Sequence, residues 1–307
     1  MTATRRISIV TPSFNQAPYL EEAIDSVLSQ KDVEVEYIIV DGGSTDGSVQ
    51  IIEKYSRHLA YWVSEPDCGQ AHAINKGMTR ATAEVRAFLN SDDYYLPTAL
   101  AAVIEHFNEH PETDLFHGCC RYVDQYGNKI GEQFASITQY DEIVDLWNVW
   151  WRQRQFVQPE VFWSRRIANR IGPFREDLRY VMDYEYWLRI IKAGGKVSSI
   201  ARELTAFRHT PEQKSNDSEL VAQELCRVVE PELWDSSTPL PSSKRRQLQA
   251  RWLFQSVFQP AADAAVALGY SRLHRWGCLA ALVLRHPKLV FSPCLRRRAL
   301  HRTPRRA

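Results

Sequence analysis

Across its first 120 residues the chain alternates short apolar runs with segments whose apolar residues recur at helical spacing. Ile7-Ser8-Ile9-Val10-Thr11 and Tyr37-Ile38-Ile39-Val40 read as strands, as do residues 59–63 and 85–89. Between them, Leu20, Ala23, Ile24, Val27 and Leu28 stripe a helix over 19–30, with Pro18 near its start, and Val49, Ile52 and Tyr55 stripe another. Residues 71–78 and 96–107 read as further helices, and 114–117 as a fifth strand. Repeated strand–helix units of this kind are stable only as a mostly parallel sheet with helices on both faces. An α/β fold is therefore expected.

The polar residues fall at one end of these strands. Thr11-Pro12-Ser13 ends the first, Asp41-Gly42-Gly43-Ser44 the second, Glu65-Pro66-Asp67 the third and Asn90-Ser91-Asp92-Asp93 the fourth. Open α/β sheets bind ligands beyond the carboxyl ends of their strands. Two adjacent carboxylates there call for a positive partner, and a divalent cation carrying a diphosphate meets that need, because hard cations take oxygen ligands. Read alone, Asp93 could equally cap the helix that follows.

From about residue 121 the pattern changes. Residues 121–130 read as a hairpin turning at Gly127-Asn128, Trp147, Trp150 and Trp151 cluster, and a helix within 174–193 stops at Gly194-Gly195. Residues 196–200 and 204–207 read as two strands, 211–218 as a loop, and the chain beyond about 220 as helical. The expected division is 1–215, in two halves (1–120 and 121–215), followed by a helical, basic extension over 216–307. The net charge of +1 conceals that extension: residues 244–307 carry 14 Lys and Arg against one acid, Asp263. Such a segment implies an anionic partner, and basic residues set among apolar ones suit an anionic membrane surface better than nucleic acid. No run of about 18 apolar residues appears, so no spanning helix is expected. With no leader pattern at Met1 and no CxxC pair among six cysteines, the expectation is a reduced, cytoplasmic protein, peripheral on the inner face of the membrane.

Taken in order, these pieces resemble inverting family 2 glycosyltransferases of the GT-A (Rossmann-like) fold. The resemblance rests on Ser8-Ile9-Val10-Thr11-Pro12-Ser13-Phe14-Asn15, Tyr37-Ile38-Ile39-Val40-Asp41-Gly42-Gly43-Ser44-Thr45-Asp46-Gly47 and Ser64-Glu65-Pro66-Asp67-Cys68-Gly69-Gln70-Ala71. It continues through Asn75-Lys76-Gly77, Leu89-Asn90-Ser91-Asp92-Asp93 and Met182-Asp183-Tyr184-Glu185-Tyr186-Trp187-Leu188-Arg189. It implies a nucleoside-diphosphate sugar as donor, a glycan or lipid-linked hydroxyl as acceptor, and Mg²⁺ or Mn²⁺ as cofactor. Pro12, Ser13, Asp41, Asp67, Asn90 and Ser91 would hold the nucleotide. Asn90 replaces the first Asp of the usual Asp-x-Asp, which leaves Asp92 as principal metal ligand with Asp93 behind it. Asp183 matches the family's catalytic base, with Met182 where Glu is usual and Glu185 as fallback base or acceptor contact. Phe207-Arg208-His209-Thr210 with Lys214-Ser215 resembles a closing motif, implying His209 at the metal or phosphate and basic side chains on the diphosphate. Trp151, Gln158 and Glu160 would line the acceptor side. A nucleotidyltransferase and a non-catalytic nucleotide-sugar-binding protein of the same fold remain as alternatives; a dehydrogenase is disfavoured because the first strand is not followed by GxGxxG.

Overall fold

The computed structural model describes residues 5–292 and Leu295. Cys294 and the Arg296-Arg297-Arg298 run lie outside the described residues. Two compact units divide the chain, Met1–Val228 and Val229–Ala307. The division thus falls inside a helix, Ser218–Trp234, rather than ahead of it at 215.

In the first unit, β1 (Arg6–Ser13), α1 (Ala17–Leu28), β2 (Glu34–Asp41), α2 (Ser48–Tyr55), β3 (Tyr61–Ser64), α3 (Gln70–Met78) and β4 (Val85–Phe88) follow one another as the patterning predicts. β1 and β2 are longer than their apolar runs because their polar ends still pair, Ser13 opposite Asp41. Strands β3, β2, β1 and β4 are adjacent and parallel. Their core residues, among them Ile7, Ile9, Val10, Ile38, Ile39 and Val85, are fully buried. All four carboxyl ends therefore open on one edge.

The rest of the sheet is mixed. β5 (Tyr94–Tyr95), α4 (Ala99–Glu109), β6 (Leu115–Val123), β7 (Lys129–Phe134), α5 (Tyr140–Ile143), β8 (Val161–Ser164), α6 (Arg165–Ile171), α7 (Met182–Lys192) and β9 (Val197–Arg208) complete the unit. β8 runs antiparallel to β4 and β6, β7 antiparallel to β6, β5 antiparallel to β9, and only β6–β9 is parallel. The β6–β7 turn is held by Asp124, whose Oδ1 accepts the Tyr126 and Asn128 amides at 2.9 Å. The two strands expected over 196–200 and 204–207 are one, β9, interrupted only by register shifts opposite His117–Cys120. Met182–Lys192 ends at Gly194, whose φ of +79° suits a residue without a side chain.

α3 lies close against β1. A Cβ added at Gly77 would stand 2.4 Å from Val10 Cγ1. Gly77→Ala is expected to lower stability by about 1–3 kcal/mol through overpacking, read from the denaturant midpoint. An unchanged midpoint would mean that α3 shifts freely on the sheet.

The described part of the second unit is helical. After α8 (Ser218–Trp234), α9 (Ser242–Leu253) runs into a π-turn at Phe254–Phe258, then α10 (Gln259–Ala267), α11 (Arg272–Arg285) and a 3₁₀ segment, Pro287–Phe291. Its core joins Phe254, Phe258 and Leu289 with Leu253, Leu279 and Val283. Among the described residues no helix is long and apolar enough to cross a membrane. The five described cysteines are unbridged.

Candidate active site

The loops after β1, β2 and β3 build one end of the site. Asp41 is completely buried, and its carboxylate faces its own loop. Oδ1 accepts the Gly43 amide (3.1 Å), the Ser44 amide (2.8 Å) and the Ser64 hydroxyl (2.7 Å), and Oδ2 accepts the Ser44 hydroxyl at 2.5 Å. These bonds lock the Asp41-Gly42-Gly43-Ser44 turn, in which Gly43 takes a φ of +86°. Asp41 was expected to contact the nucleotide; in this structure its oxygens are engaged by the surrounding loops, and Oδ2 has a single partner, Ser44.

Asp67 is half-buried at the surface, with Oδ1 accepting the Gly69 amide at 2.7 Å. Gly42 brings Asp67 and Phe14 together: a Cβ there would meet Asp67 Oδ2 at 2.9 Å and Phe14 Cδ2 at 3.2 Å. Phe14 is 60% exposed, an uncommon position for so large an apolar ring. Pro12 and Ser13, just before Phe14, are buried, and the Ser13 hydroxyl has no protein partner. Phe14 was absent from the expected site residues, although the apolar ring between Ser13 and Asn15 at a strand end was a legible signal.

Beyond β4, Asn90 and Asp92 are half-buried, and Ser91 and Asp93 buried. Asp93 does not cap a helix: α4 starts only at Ala99, behind Thr98. Its Oδ1 accepts the Arg208 amide at 2.9 Å and its Oδ2 faces Asn90 Nδ2 at 3.4 Å. Burial, and then the neighbouring Asp92 charge, push the Asp93 carboxyl well above the usual carboxylate range. Burial also raises Asp92, opposed by Arg208 and Lys214.

Arg208, in the segment where the resemblance implied basic side chains on a diphosphate, is 2% exposed, and its guanidinium is turned to protein partners. Nε donates to the Asp92 carbonyl (3.0 Å), one terminal nitrogen to the Gln125 carbonyl (3.2 Å) and the other to Glu22. The guanidinium lies 5.1 Å from the Tyr19 ring centre and 5.4 Å from that of Tyr94. It ties α1, the turn after β4 and the β6–β7 turn to β9. His209 is exposed, its ring 5.2 Å from both Tyr122 and Phe207.

Asp183 lies in the first turn of α7, half-buried, with Oδ1 accepting the Tyr184 amide at 2.7 Å. Burial pushes its carboxyl up to about 6, opposed by the bond from Tyr184 and by the Lys214 charge. Lys214 faces both Asp183 and Asp92 electrostatically, and both raise its affinity for a proton against the effect of burial. Its ammonium donates to Gln70 and, at 2.8 Å, to the Arg179 carbonyl. Gln70 Nε2 in turn donates to Asn90 Oδ1 at 2.5 Å. The loop into α7 is fixed by Glu224, whose carboxylate accepts the amides of Arg179 (2.9 Å), Tyr180 (2.6 Å) and Val181 (2.9 Å). Gln70 and Glu224 were not foreseen, since neither partner set is local in sequence.

Three residues expected on the acceptor side are interior. Glu160 is fully buried, with Oε1 accepting the Val157 amide at 3.0 Å, and burial keeps its carboxyl far above the usual range. Gln158 is buried with Nε2 donating to the Phe88 carbonyl at 2.7 Å. Glu185 is buried and grips Arg189 Nε at 2.9 and 3.0 Å, while Arg189 bonds the Ile171 and Pro173 carbonyls. These side chains carry scaffold loops and do not offer a surface to an acceptor. Trp151, by contrast, is 50% exposed and stacks on Trp147 at 6.1 Å. Neighbouring Trp150 meets Tyr184, the residue after Asp183, edge-on at 5.5 Å.

No group of three or more His, Cys, Asp or Glu side chains gathers as a metal site among the described residues. Of the three expected ligands, Asp92 is half-buried and His209 exposed, while Asp93 is turned inward to the Arg208 amide. That fits a hard cation held mainly by substrate oxygens and water, as Mg²⁺ commonly is, and does not fit an all-protein cage.

The family model described as "Glycosyl transferase family 2" matches residues 8–175. An uncharacterised glycosyltransferase of Nostoc sp. is 33% identical over 157 residues, 47% of this chain and 47% of that protein. The putative teichuronic acid biosynthesis glycosyltransferase TuaG of Bacillus subtilis is 38% identical over 108 residues, 34% of this chain and 42% of TuaG. The chain spans about half the length of the curated relatives it matches. In fold it is similar to S. aureus TarS 1-349 in complex with UDP-GlcNAc (TM-score 0.62, 18% identity, 81% of this chain and 73% of that one). It is similar also to the mannosyltransferase PcManGT of Pyrobaculum calidifontis in complex with GDP-Man and Mn²⁺ (TM-score 0.61, 20% identity, 94% and 84%). With more than half of the chain inside the family model, and the expected motifs at the carboxyl edge of a GT-A sheet, this protein belongs to glycosyltransferase family 2.

Proposed function

We propose that the chain is an inverting glycosyltransferase that moves a sugar from a nucleoside-diphosphate sugar to a hydroxyl of a glycan or lipid-linked acceptor, in cell-surface polysaccharide or lipopolysaccharide assembly. One observation carries this reading: Asp92, at the end of β4, and Asp183, at the start of α7, share the field of one cation, Lys214. A phosphate-facing carboxylate and a half-buried base at about 6 are the two groups such a transfer requires.

The nucleobase lies against Phe14, with Asp67 accepting its N–H groups and the Ser13 hydroxyl available beneath. Asn90 and Ser91 face the ribose and first phosphate. A divalent cation, when bound at Asp92, supplies charge neutralisation for the departing diphosphate. Lys214 adds a fixed positive charge on the same side. Asp183 accepts the proton of the acceptor hydroxyl as that oxygen bonds the anomeric carbon and the carbon–diphosphate bond breaks on the opposite face. Trp151 offers a flat apolar surface to the acceptor sugar. The donor class is supported by the UDP-GlcNAc and GDP-Man of the two similar structures, and the biosynthetic setting by the name of TuaG.

The test is thermal stabilisation of the chain by UDP-, GDP- and dTDP-sugars with and without Mn²⁺. One nucleotide class is expected to raise the melting temperature in a metal-dependent way, by about 2.7 kcal/mol of stabilisation at a hundredfold excess over Kd. Folded protein that responds to no donor would overturn the reading.

A further inference from the structure

The second unit carries an apolar face that its own core does not use. On α11, Leu279 and Val283 point into the cluster around Phe254, Phe258 and Leu289. Trp276, Ala280 and Leu284 stand at i, i+4 and i+8 on the same helix and are all exposed, Trp276 by 64% and Leu284 by 83%. At 3.6 residues per turn this second stripe is centred roughly 80° around the helix from the buried one. A surface helix ordinarily needs a single apolar stripe facing its core. Leu268 and Tyr270, just ahead of α11, and Val290, just after it, are exposed as well.

Charge selects the occupant. From Val266 to Ala307 the sequence has ten Lys and Arg and no Asp or Glu. Arg285 and Lys288 follow directly on the stripe, with Lys288 lying 4.5 Å over the exposed Trp234 ring. A protein partner of such a face would have to offer both an apolar groove and an acidic rim. A bilayer with anionic headgroups offers both without further specification, and Trp favours that boundary because its ring is apolar and its N–H is polar. The helix cannot span, so it must lie in the plane of the interface.

We infer that α11 is an in-plane membrane anchor, with Trp276, Ala280 and Leu284 inserted among the acyl chains and the basic residues around them at anionic headgroups. This names the lipid surface and the residues that meet it, and it stands whichever sugar the first unit transfers.

The experiment is co-sedimentation of the full chain with vesicles of phosphatidylcholine alone or mixed with phosphatidylglycerol. Binding is expected to the mixed vesicles, to weaken as salt is raised, and to be slight on phosphatidylcholine alone. The double variant Trp276→Ser/Leu284→Ser is expected to lower the partition coefficient about tenfold or more, because both side chains lose their apolar transfer. Both positions are exposed, so its melting temperature and its response to the donor should match the parent. A parent chain that ignores mixed vesicles overturns the inference. So does a double variant that binds as well as the parent, which would assign binding to the basic residues alone. A concentration-dependent dimer abolished by the same double variant would identify a second copy as the occupant instead.

Discussion

Asp183→Asn is expected to lower the transfer rate by about 10²–10⁴-fold, the range a positioned base contributes, while stabilisation by the donor persists. The asparagine is nearly isosteric and can still accept the Tyr184 amide through its oxygen, as Oδ1 of Asp183 does. What it loses is the lone pair that takes a proton. The pH dependence has a definite sign. A base must be deprotonated, and Asp183 carries a carboxyl raised to about 6. Turnover should therefore fall about tenfold per pH unit below about 6 and flatten above it. Lys214→Met should move this limb upward, because the Lys214 charge opposes the effect of burial on Asp183. Steady-state rates across pH, with donor binding measured in parallel, separate the two outcomes. Normal turnover by Asp183→Asn would remove the residue from the role, whereas loss of donor binding would make its role structural.

Arg208→Ala should be the costliest single change in the first unit, at about 3–5 kcal/mol. It deprives the Asp92 and Gln125 carbonyls of a donor, removes the cation beside two aspartates and leaves space between the Tyr19 and Tyr94 rings. Arg208→Lys should recover only part of this, since an ammonium cannot reproduce three divergent bonds in one plane. Urea unfolding gives the loss directly. A loss below about 1 kcal/mol, with donor binding abolished, would instead return Arg208 to the diphosphate.

Much of this site is legible in the sequence because its signals are local. A strand of about five apolar residues and the polar loop that follows it are contiguous, so Ser13, Asp67, Asn90 and Asp92 can be placed at the sheet edge from spacing alone. Parallel pairing of β1, β2, β3 and β4 follows from the helices between them. Other features have no local signature. Gln158, Glu160 and Glu185 look like surface residues on composition, yet each is buried: Gln158 reaches the Phe88 carbonyl on a distant strand, while Glu160 and Glu185 bond the nearby Val157 amide and Arg189 guanidinium. Asp41 ends a strand in the sequence pattern, but the bonds by which it holds its own turn are visible only in the structure. The direction of β8 and the unity of β9 depend on pairings that no periodicity encodes.

The sequence by itself determined the α/β class and the sheet edge where polar strand ends collect, Asp92 among them, because hydrophobic period and strand-end polarity are short-range physical demands; Asp183 was singled out by the family resemblance alone. Only the tertiary structure decided which charged side chains face the site and which hold it up. That choice depends on burial: Arg208 finds carbonyls, a carboxylate and two rings within reach and stays inside, whereas Lys214 lies where Asp92, Asp183 and Gln70 converge from three separate segments.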